Sequence, residues 1–570
     1  MNKKDSFKQA AFVTDSVSMP IGVSSFEEIR KNGAYYVDKT ELIKDLINSK
    51  VNVTLFTRPR RFGKTLTMSM LKSFFDITGD SRALFDGLEI SENTEICNDY
   101  MNQYPTIFLT LKEVQGAEFD TALRQLQNKI YLLCKEFLFL LHSDNLDEDD
   151  KKIFTRLKSG EADKIEIMNS LDTLVRLLYV HYGKPVILLI DEYDVPLAKA
   201  SDNGYYNEML DVMRGFMQGL KDNSWLKFAV ITGCLRISKE SIFTGTNNFY
   251  VNSITSSHFN EYFGFTDNEV KKLLTDAGAL SRYQEMKDWY DGYNFGGIEI
   301  YCPWDVIHYV YDFLNRERNL PKCYWNNTSD NSIVRTFINN FSAEIQNDFE
   351  TLLTGASIQR PIRENLTYDL LHSSEDNFWS ILFLTGYLTS EGDITPDNIS
   401  LRIPNKEIKQ IYKDTIRYWF EDYVRELNRN ELLTALWNGD ALSLTRQMTK
   451  ILVTTISYHD YKEDFYHAFL AGIFTGLGYK VESNKEHGEG RSDIVIKDNR
   501  NFRAAVFEVK YSDRKIYLEK DCDRALEQID VRQYTADLEE DFDDIWCYGI
   551  AFYKKRCLVK SANQRGSHRY

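Results

Sequence analysis

Val51-Asn52-Val53-Thr54-Leu55-Phe56-Thr57 runs directly into Arg58-Pro59-Arg60-Arg61-Phe62-Gly63-Lys64-Thr65, and the reading of this stretch decides the fold. Its first half has the apolar, β-branched character of a buried strand, and the residues after Gly63 predict a helix from Lys64 to about Phe75. A strand that turns through a loop into a helix opening on Gly-Lys-Thr is the setting of a phosphate-binding loop. Backbone N–H groups at the helix N-terminus bind phosphate and glycine permits close approach. Lysine reaches the β- and γ-phosphates, and a threonine hydroxyl can ligate Mg²⁺. Arg58 stands where G-x-x-x-x-G-K-[ST] has its first glycine. Arg58, Pro59, Arg60, Arg61, Phe62, Gly63, Lys64 and Thr65 together form the candidate ATP-binding loop.

Outward from the loop, Val186 to Ile190 is a second fully apolar run, and it ends on Asp191-Glu192. That placement suits a carboxylate holding Mg²⁺ (Asp191) and a neighbour polarising the attacking water (Glu192). Two carboxylates after five apolar residues are harder to read as a simple turn cap than one. Thr106 to Leu111 and Phe228 to Thr232 read as further strands, with helical stretches at Ala117 to Leu141 and Asp149 to Tyr182. Strands that are apolar throughout and alternate with helices indicate a parallel sheet covered on both faces. Thr232, at the end of its strand, is either a sensor of the γ-phosphate or a plain strand-end hydroxyl. Arg236 follows it in Gly233-Cys234-Leu235-Arg236.

With 570 residues the chain exceeds the roughly 250–300 that one core serves, so several domains are expected. The expected division is an N-terminal tail over 1–24, the sheet domain over 25–264, a mostly helical accessory region over 265–455 and a compact α/β domain over 456–570. A formal net charge of −16 excludes a surface that coats nucleic acid indiscriminately, because phosphate repels it at long range. Local basic stretches remain at Arg58 to Lys72 and Lys554 to Arg569; the first can serve a nucleotide, the second a nucleic acid or only solvent. The eight cysteines show no C-x-x-C pairing, Met1 to Met19 lacks an apolar core, and no apolar run approaches the roughly 18 residues of a membrane helix. A cytoplasmic protein without membrane partners is expected.

In the last segment Phe465, Phe469, Ile473 and Leu477 recur every fourth position, the mark of a packed helix. Strands follow at Lys480 to Glu482, Asp493 to Ile496 and Ala504 to Lys510, then a helix from Leu518 to about Leu538 and a strand at Ile545 to Phe552. In Phe507-Glu508-Val509-Lys510 the period of two puts Glu508 and Lys510 on one face, and Asp493 opens the neighbouring strand. Two carboxylates at adjacent strand ends can bind Mg²⁺ or Mn²⁺, and a lysine beside them can position a water for phosphodiester attack. Asp493, Glu508 and Lys510 are the candidate catalytic residues, with Asp493 and Glu508 as metal ligands. Gln528 on the second helix either reaches this site or caps a packed face. Glu463 and His467 on the first helix offer no obvious third carboxylate. The aromatic run Trp289 to Trp304 is either core or a ligand surface.

The loop Arg58 to Thr65, the run Leu189-Ile190-Asp191-Glu192-Tyr193-Asp194, the block Tyr36-Val37-Asp38-Lys39-Thr40, the blocks Trp289-Tyr290-Asp291-Gly292-Tyr293 and Phe383-Leu384-Thr385-Gly386-Tyr387-Leu388, and the C-terminal Asp493, Glu508 and Lys510 resemble a bacterial family. That family joins an AAA-ATPase-like domain to a PD-(D/E)xK nuclease-superfamily domain, and it too carries arginine in place of the first P-loop glycine. The resemblance implies an AAA-like P-loop core in which a further strand lies between the P-loop strand and the Asp191 strand. It also implies a restriction-endonuclease-like C-terminal domain with Asp493, Glu508 and Lys510 at the catalytic positions. Ser492 replaces the proline of the motif, which shapes a turn and touches no metal. The expected function is ATP binding and hydrolysis coupled to a metal-dependent nuclease acting on nucleic acid, DNA ahead of RNA, with a homo-oligomer among the expected assemblies. The alternative is an ATP-dependent switch or scaffold whose nuclease-like domain binds without cleaving.

Overall fold

The computed structural model describes residues 17–220, 222–236, 249–315, 320–325, 343–366, 368, 374–392, 398–425, 429–455, 463–487 and 490–565. Two compact units divide the chain: one runs to Tyr324 and takes in Pro361–Ile399, the other comprises Trp325–Arg360 and the chain from Ser400 onward. The segment read from sequence as a single accessory region therefore contributes to both units.

The first unit is built on five parallel strands, β1 (Val53–Thr57), β2 (Thr106–Thr110), β3 (Val186–Asp191), β4 (Leu226–Gly233) and β5 (Phe249–Asn252), in the order β2-β3-β4-β1-β5. The period of two sends Leu55, Leu188 and Ile190 into one core layer and Phe56, Ile187 and Leu189 into the other. Every one of these side chains is lost to water, at roughly 1.5–3 kcal/mol each, which is why the strands are apolar without alternation. β4 lies between β1 and β3, the additional strand that the resemblance implied. Helix α1 (Lys64–Phe75) follows β1 and buries Met68, Leu71, Phe74 and Phe75. The aromatic run beyond residue 288 is core: Tyr293–Phe295 and Ile298–Tyr301 pair as antiparallel strands, and Tyr290, Tyr293, Phe295 and Tyr301 are buried.

The second unit carries helix α2 (Glu463–Gly476), strands β6 (Lys480–His487), β7 (Gly490–Asp498) and β8 (Arg503–Tyr511), helix α3 (Leu518–Val531), and strands β9 (Asp544–Tyr553) and β10 (Arg556–Arg565). They form one sheet in sequence order, antiparallel except where β8 and β9 run parallel around α3. Phe469, Ile473 and Leu477 are buried as their spacing predicts. Phe507 stacks on Tyr548 with centroids 4.7 Å apart. β10 places most of the basic stretch in a strand rather than a free tail: Cys557 and Val559 are buried on β9 while Arg556 and Lys560 lie on the edge strand of the sheet, a position where such charges deter further pairing. Residues 1–16 and 566–570 lie outside the described residues, as does the side chain of Glu463.

Candidate functional site

The loop between β1 and α1 turns at two residues with positive φ, Arg61 (73°) and Gly63 (82°), the second serving as N-cap of α1. Glycine at 63 is thus a backbone requirement, since nothing in the protein lies within 4 Å of where its Cβ would stand. Lys64 is 3% exposed, and its Nζ donates to the carbonyls of Arg58 and Pro59, both at 3.1 Å. It also lies 3.7 Å from Glu192 and 3.5 Å from Cys234 Sγ. Burial pushes the Cys234 thiol up to about 12, so the ammonium meets a neutral thiol there. Thr65 Oγ1 donates to Asp191 Oδ2 at 2.8 Å, and Thr232 Oγ1 donates to Asp191 Oδ1 at 2.5 Å. Burial, with Glu192 adding, raises the Asp191 carboxyl against the two hydroxyls that lower it. A hydroxyl and a carboxylate converging at the end of a P-loop are the hard oxygen donors Mg²⁺ takes beside a nucleotide, so the residues present fit that ion. Glu192, at φ 55°, holds a left-handed backbone that a glutamate rarely adopts.

Arg58 departs from the sequence expectation. Its guanidinium is fully buried rather than open to phosphate. Nη1 donates to the carbonyls of Thr57 (2.9 Å) and Asn252 (3.0 Å), Nη2 donates to Asn252 Oδ1 (2.6 Å), and the carbon sits over the rings of Phe263 and Phe295. Burial pulls its pKa down to about 9, which leaves it charged at neutral pH. Arg58 is a strut from the loop to the end of β5. Its alanine variant should lose about 3–5 kcal/mol of stability in denaturant unfolding, and Arg58→Gly should restore none of it and tighten no nucleotide.

Phe62 is also core, edge-on to Tyr293 at 5.0 Å. The Arg61 guanidinium lies 4.0 Å from the Trp304 ring, and Pro59 is buried. Arg60 is exposed, and Arg236 forms an isolated bridge with Asn365. A residue without an assigned role in the sequence reading joins them. Asp194 is 1% exposed; its Oδ2 accepts from the amides of Cys234 and Leu235 at 3.0 Å and from Tyr368 Oη at 2.9 Å, while Oδ1 has no hydrogen-bond partner. Its signal in the sequence is position alone, two residues past Glu192.

In the second unit Asp493 and Glu508 are both buried, on β7 and β8. Asp493 Oδ2 accepts the Val509 amide at 2.7 Å, and Oδ1 lies 3.4 Å from His467 Nε2, which with the Val509 amide lowers its pKa against burial. Lys510 Nζ donates to Glu508 Oε1 at 2.7 Å, whereas Oε2 is buried without a hydrogen-bond partner. An orphaned carboxylate oxygen beside a second carboxylate fits a divalent cation. Among the described residues no three His, Cys, Asp or Glu side chains form a ready-made cluster for one. Among the described side chains of α2, His467 lies against Asp493, and Gln528 instead donates to Tyr534 Oη at 3.2 Å.

Burial and then Asp493 raise Glu508 from 4.5 to about 7. The folded protein therefore binds this proton more tightly than the unfolded chain. The resulting stability is complete below about 4.5 and is lost as pH rises through about 7. In metal-free buffer, the melting temperature of full-length Glu508→Gln should climb relative to wild type over that interval.

The arrangement defines a P-loop nucleotide-binding domain and a mixed-sheet domain with a carboxylate–lysine site. Comparison with known proteins gives the same division. Residues 20–243 match the family model described as predicted AAA-ATPase, and residues 461–562 match that of the PD-(D/E)XK nuclease superfamily. These are two separate segments of the chain, each similar to one family. An uncharacterized protein in the vnfD 5′ region of Azotobacter chroococcum mcd 1 is 25% identical over 508 residues, 86% of this chain and 89% of that relative. Among solved structures, the Aeropyrum pernix ORC2 protein in its ADPNP–ADP complexes aligns over 66% of this chain and 93% of that chain, at 11% identity and a TM-score of 0.24.

Proposed function

We propose that the protein binds and hydrolyses ATP and couples this to metal-dependent phosphodiester cleavage of nucleic acid, DNA ahead of RNA. The observation that carries the reading is the orphaned Glu508 Oε2 beside Asp493 and Lys510, on the same chain as a phosphate loop whose Lys64 and Thr65 face Asp191 and Glu192. In the first site Lys64 would draw its ammonium from the Arg58 and Pro59 carbonyls onto phosphate, Thr65 and Asp191 would hold Mg²⁺, and Glu192 would orient water. Thr232 would report the γ-phosphate through Asp191. In the second, Asp493 and Glu508 would hold Mg²⁺ or Mn²⁺ and Lys510 would position the attacking water. A bound divalent cation supplies charge stabilisation at the phosphate. Eight free cysteines and the lack, among the described residues, of any helix long and apolar enough to cross a membrane support a cytoplasmic setting.

The test is cleavage of labelled plasmid and oligonucleotides by wild type, Asp493→Ala and Lys64→Ala, with Mg²⁺ or Mn²⁺ and with or without ATP. Cutting lost in the first variant and altered in the second supports the coupled nuclease. ATP turnover without cutting by any of the three favours a switch whose nuclease-like domain only binds. That second reading has its own observation: among the described side chains of α2, the one against Asp493 is His467 rather than a third carboxylate.

A further inference from the structure

Glu364, Asn365 and Tyr368 reach the nucleotide end of the parallel sheet at several points. Glu364 accepts from Ser253 Oγ at 3.1 Å and from the Thr255 hydroxyl. Asn365 bridges to Arg236 by backbone, Ser201 Oγ donates to the Tyr368 carbonyl at 3.2 Å, and Tyr368 Oη donates to Asp194 Oδ2 at 2.9 Å. The residues just before Pro361, Trp325–Arg360, belong to the other compact unit, so this is where the chain re-enters the ATPase domain.

Asp194 gives the contact its meaning. The oxygen that receives Tyr368 also holds the Cys234 and Leu235 amides. The other oxygen is pressed against Gly233, where an added Cβ would come within 2.7 Å of it. The same short loop meets the phosphate loop: Arg58 N–H donates to the Gly233 carbonyl at 3.1 Å, and Cys234 Sγ is 3.5 Å from Lys64 Nζ. A phosphate that draws Lys64 away from the loop carbonyls must also change its contact with Cys234. The loop bearing Cys234 is held from behind by Asp194, and Asp194 by Tyr368.

We propose that Tyr368 is a positioning residue of the nucleotide site, and that Pro361 to Leu366 together with Tyr368 is the strap through which nucleotide occupancy reaches the chain connecting the two units. The inference rests on the ATP-binding reading. Tyr368 acts through Asp194, which sets the loop after β4 against Lys64. Its loss removes one hydrogen bond to a carboxylate and leaves the phosphate ligands in place. The effect therefore falls on turnover more than on binding.

The test uses the full chain as wild type, Tyr368→Phe and Ser201→Ala, the last removing the hydrogen bond to the Tyr368 carbonyl and leaving the Tyr368 hydroxyl on Asp194. Three quantities are read: the thermal shift on adding Mg²⁺–ATP, kcat and KM for ATP, and hydrogen exchange of 361–368 with and without ATP. Wild type should exchange more slowly over 361–368 when ATP is bound. Tyr368→Phe should keep KM within about twofold, lose about tenfold or more in kcat, and lose the ATP-dependent protection, while Ser201→Ala stays near wild type in kcat. Protection indifferent to ATP in a wild-type protein that ATP stabilises would overturn the strap and leave ATP binding standing. Equal losses in kcat for the two variants would reduce Tyr368 to a packing contact and overturn its positioning role. No thermal shift with ATP in wild type would remove the ATP reading and the strap with it.

Discussion

Lys64→Ala is expected to lower kcat/KM for ATP by on the order of 10²–10³, the largest effect of any single change in the first unit. The ammonium is almost wholly buried, so its charge acts on phosphate through protein rather than water. The same group bonds to the Arg58 and Pro59 carbonyls and lies 3.7 Å from Glu192. Alanine therefore removes a phosphate ligand and leaves Glu192 without its cation. The thermal shift by Mg²⁺–ATP should vanish while the unfolding transition stays cooperative. A Lys64→Ala protein with wild-type turnover would mean that phosphate binds elsewhere.

The second large effect lies in the C-terminal domain, where Asp493→Ala is expected to abolish Mn²⁺ binding and any cleavage. Alanine also strands the buried Val509 amide that Asp493 accepts, at about 1–3 kcal/mol. Asp493→Asn separates the two consequences, because its carbonyl oxygen can still accept that amide while its neutral side chain is a poor partner for a cation. Calorimetric Mn²⁺ titration should show both variants failing to bind, with the stability loss confined to alanine. Retained Mn²⁺ binding in Asp493→Asn would place the ion away from this carboxylate.

Some of this was legible residue by residue. The strand before Arg58, the helix from Lys64 to Phe75 and the apolar run into Asp191 are local signals, each carried by a handful of adjacent residues. The pairing of Glu508 with Lys510 followed from the period of two in a single strand. Other features had no local signal. β5 has only four residues, and β10 is so rich in lysine and arginine that its composition reads as a solvated tail; each is a strand because a neighbour offers a backbone ladder. Gln528 could be assigned to a helix but not to a partner, and its partner is Tyr534.

What the sequence determined by itself is the chemistry available: a phosphate loop, a paired carboxylate at a strand end, and an Asp, Glu and Lys on neighbouring strands. Short-range patterns of three to eight residues suffice for that, because strand and helix periods decide which side chains share a face. The tertiary structure alone decided how the residues are used. Arg58 sits in the phosphate loop by sequence, yet the ends of β1 and β5 and two phenylalanines enclose it, and a buried guanidinium bonds to whatever carbonyls surround it. Asp194 and Tyr368 are 174 residues apart and meet only because the chain returns to the first unit at Pro361. No periodicity along a chain can encode such a contact, since it depends on where distant segments close in space.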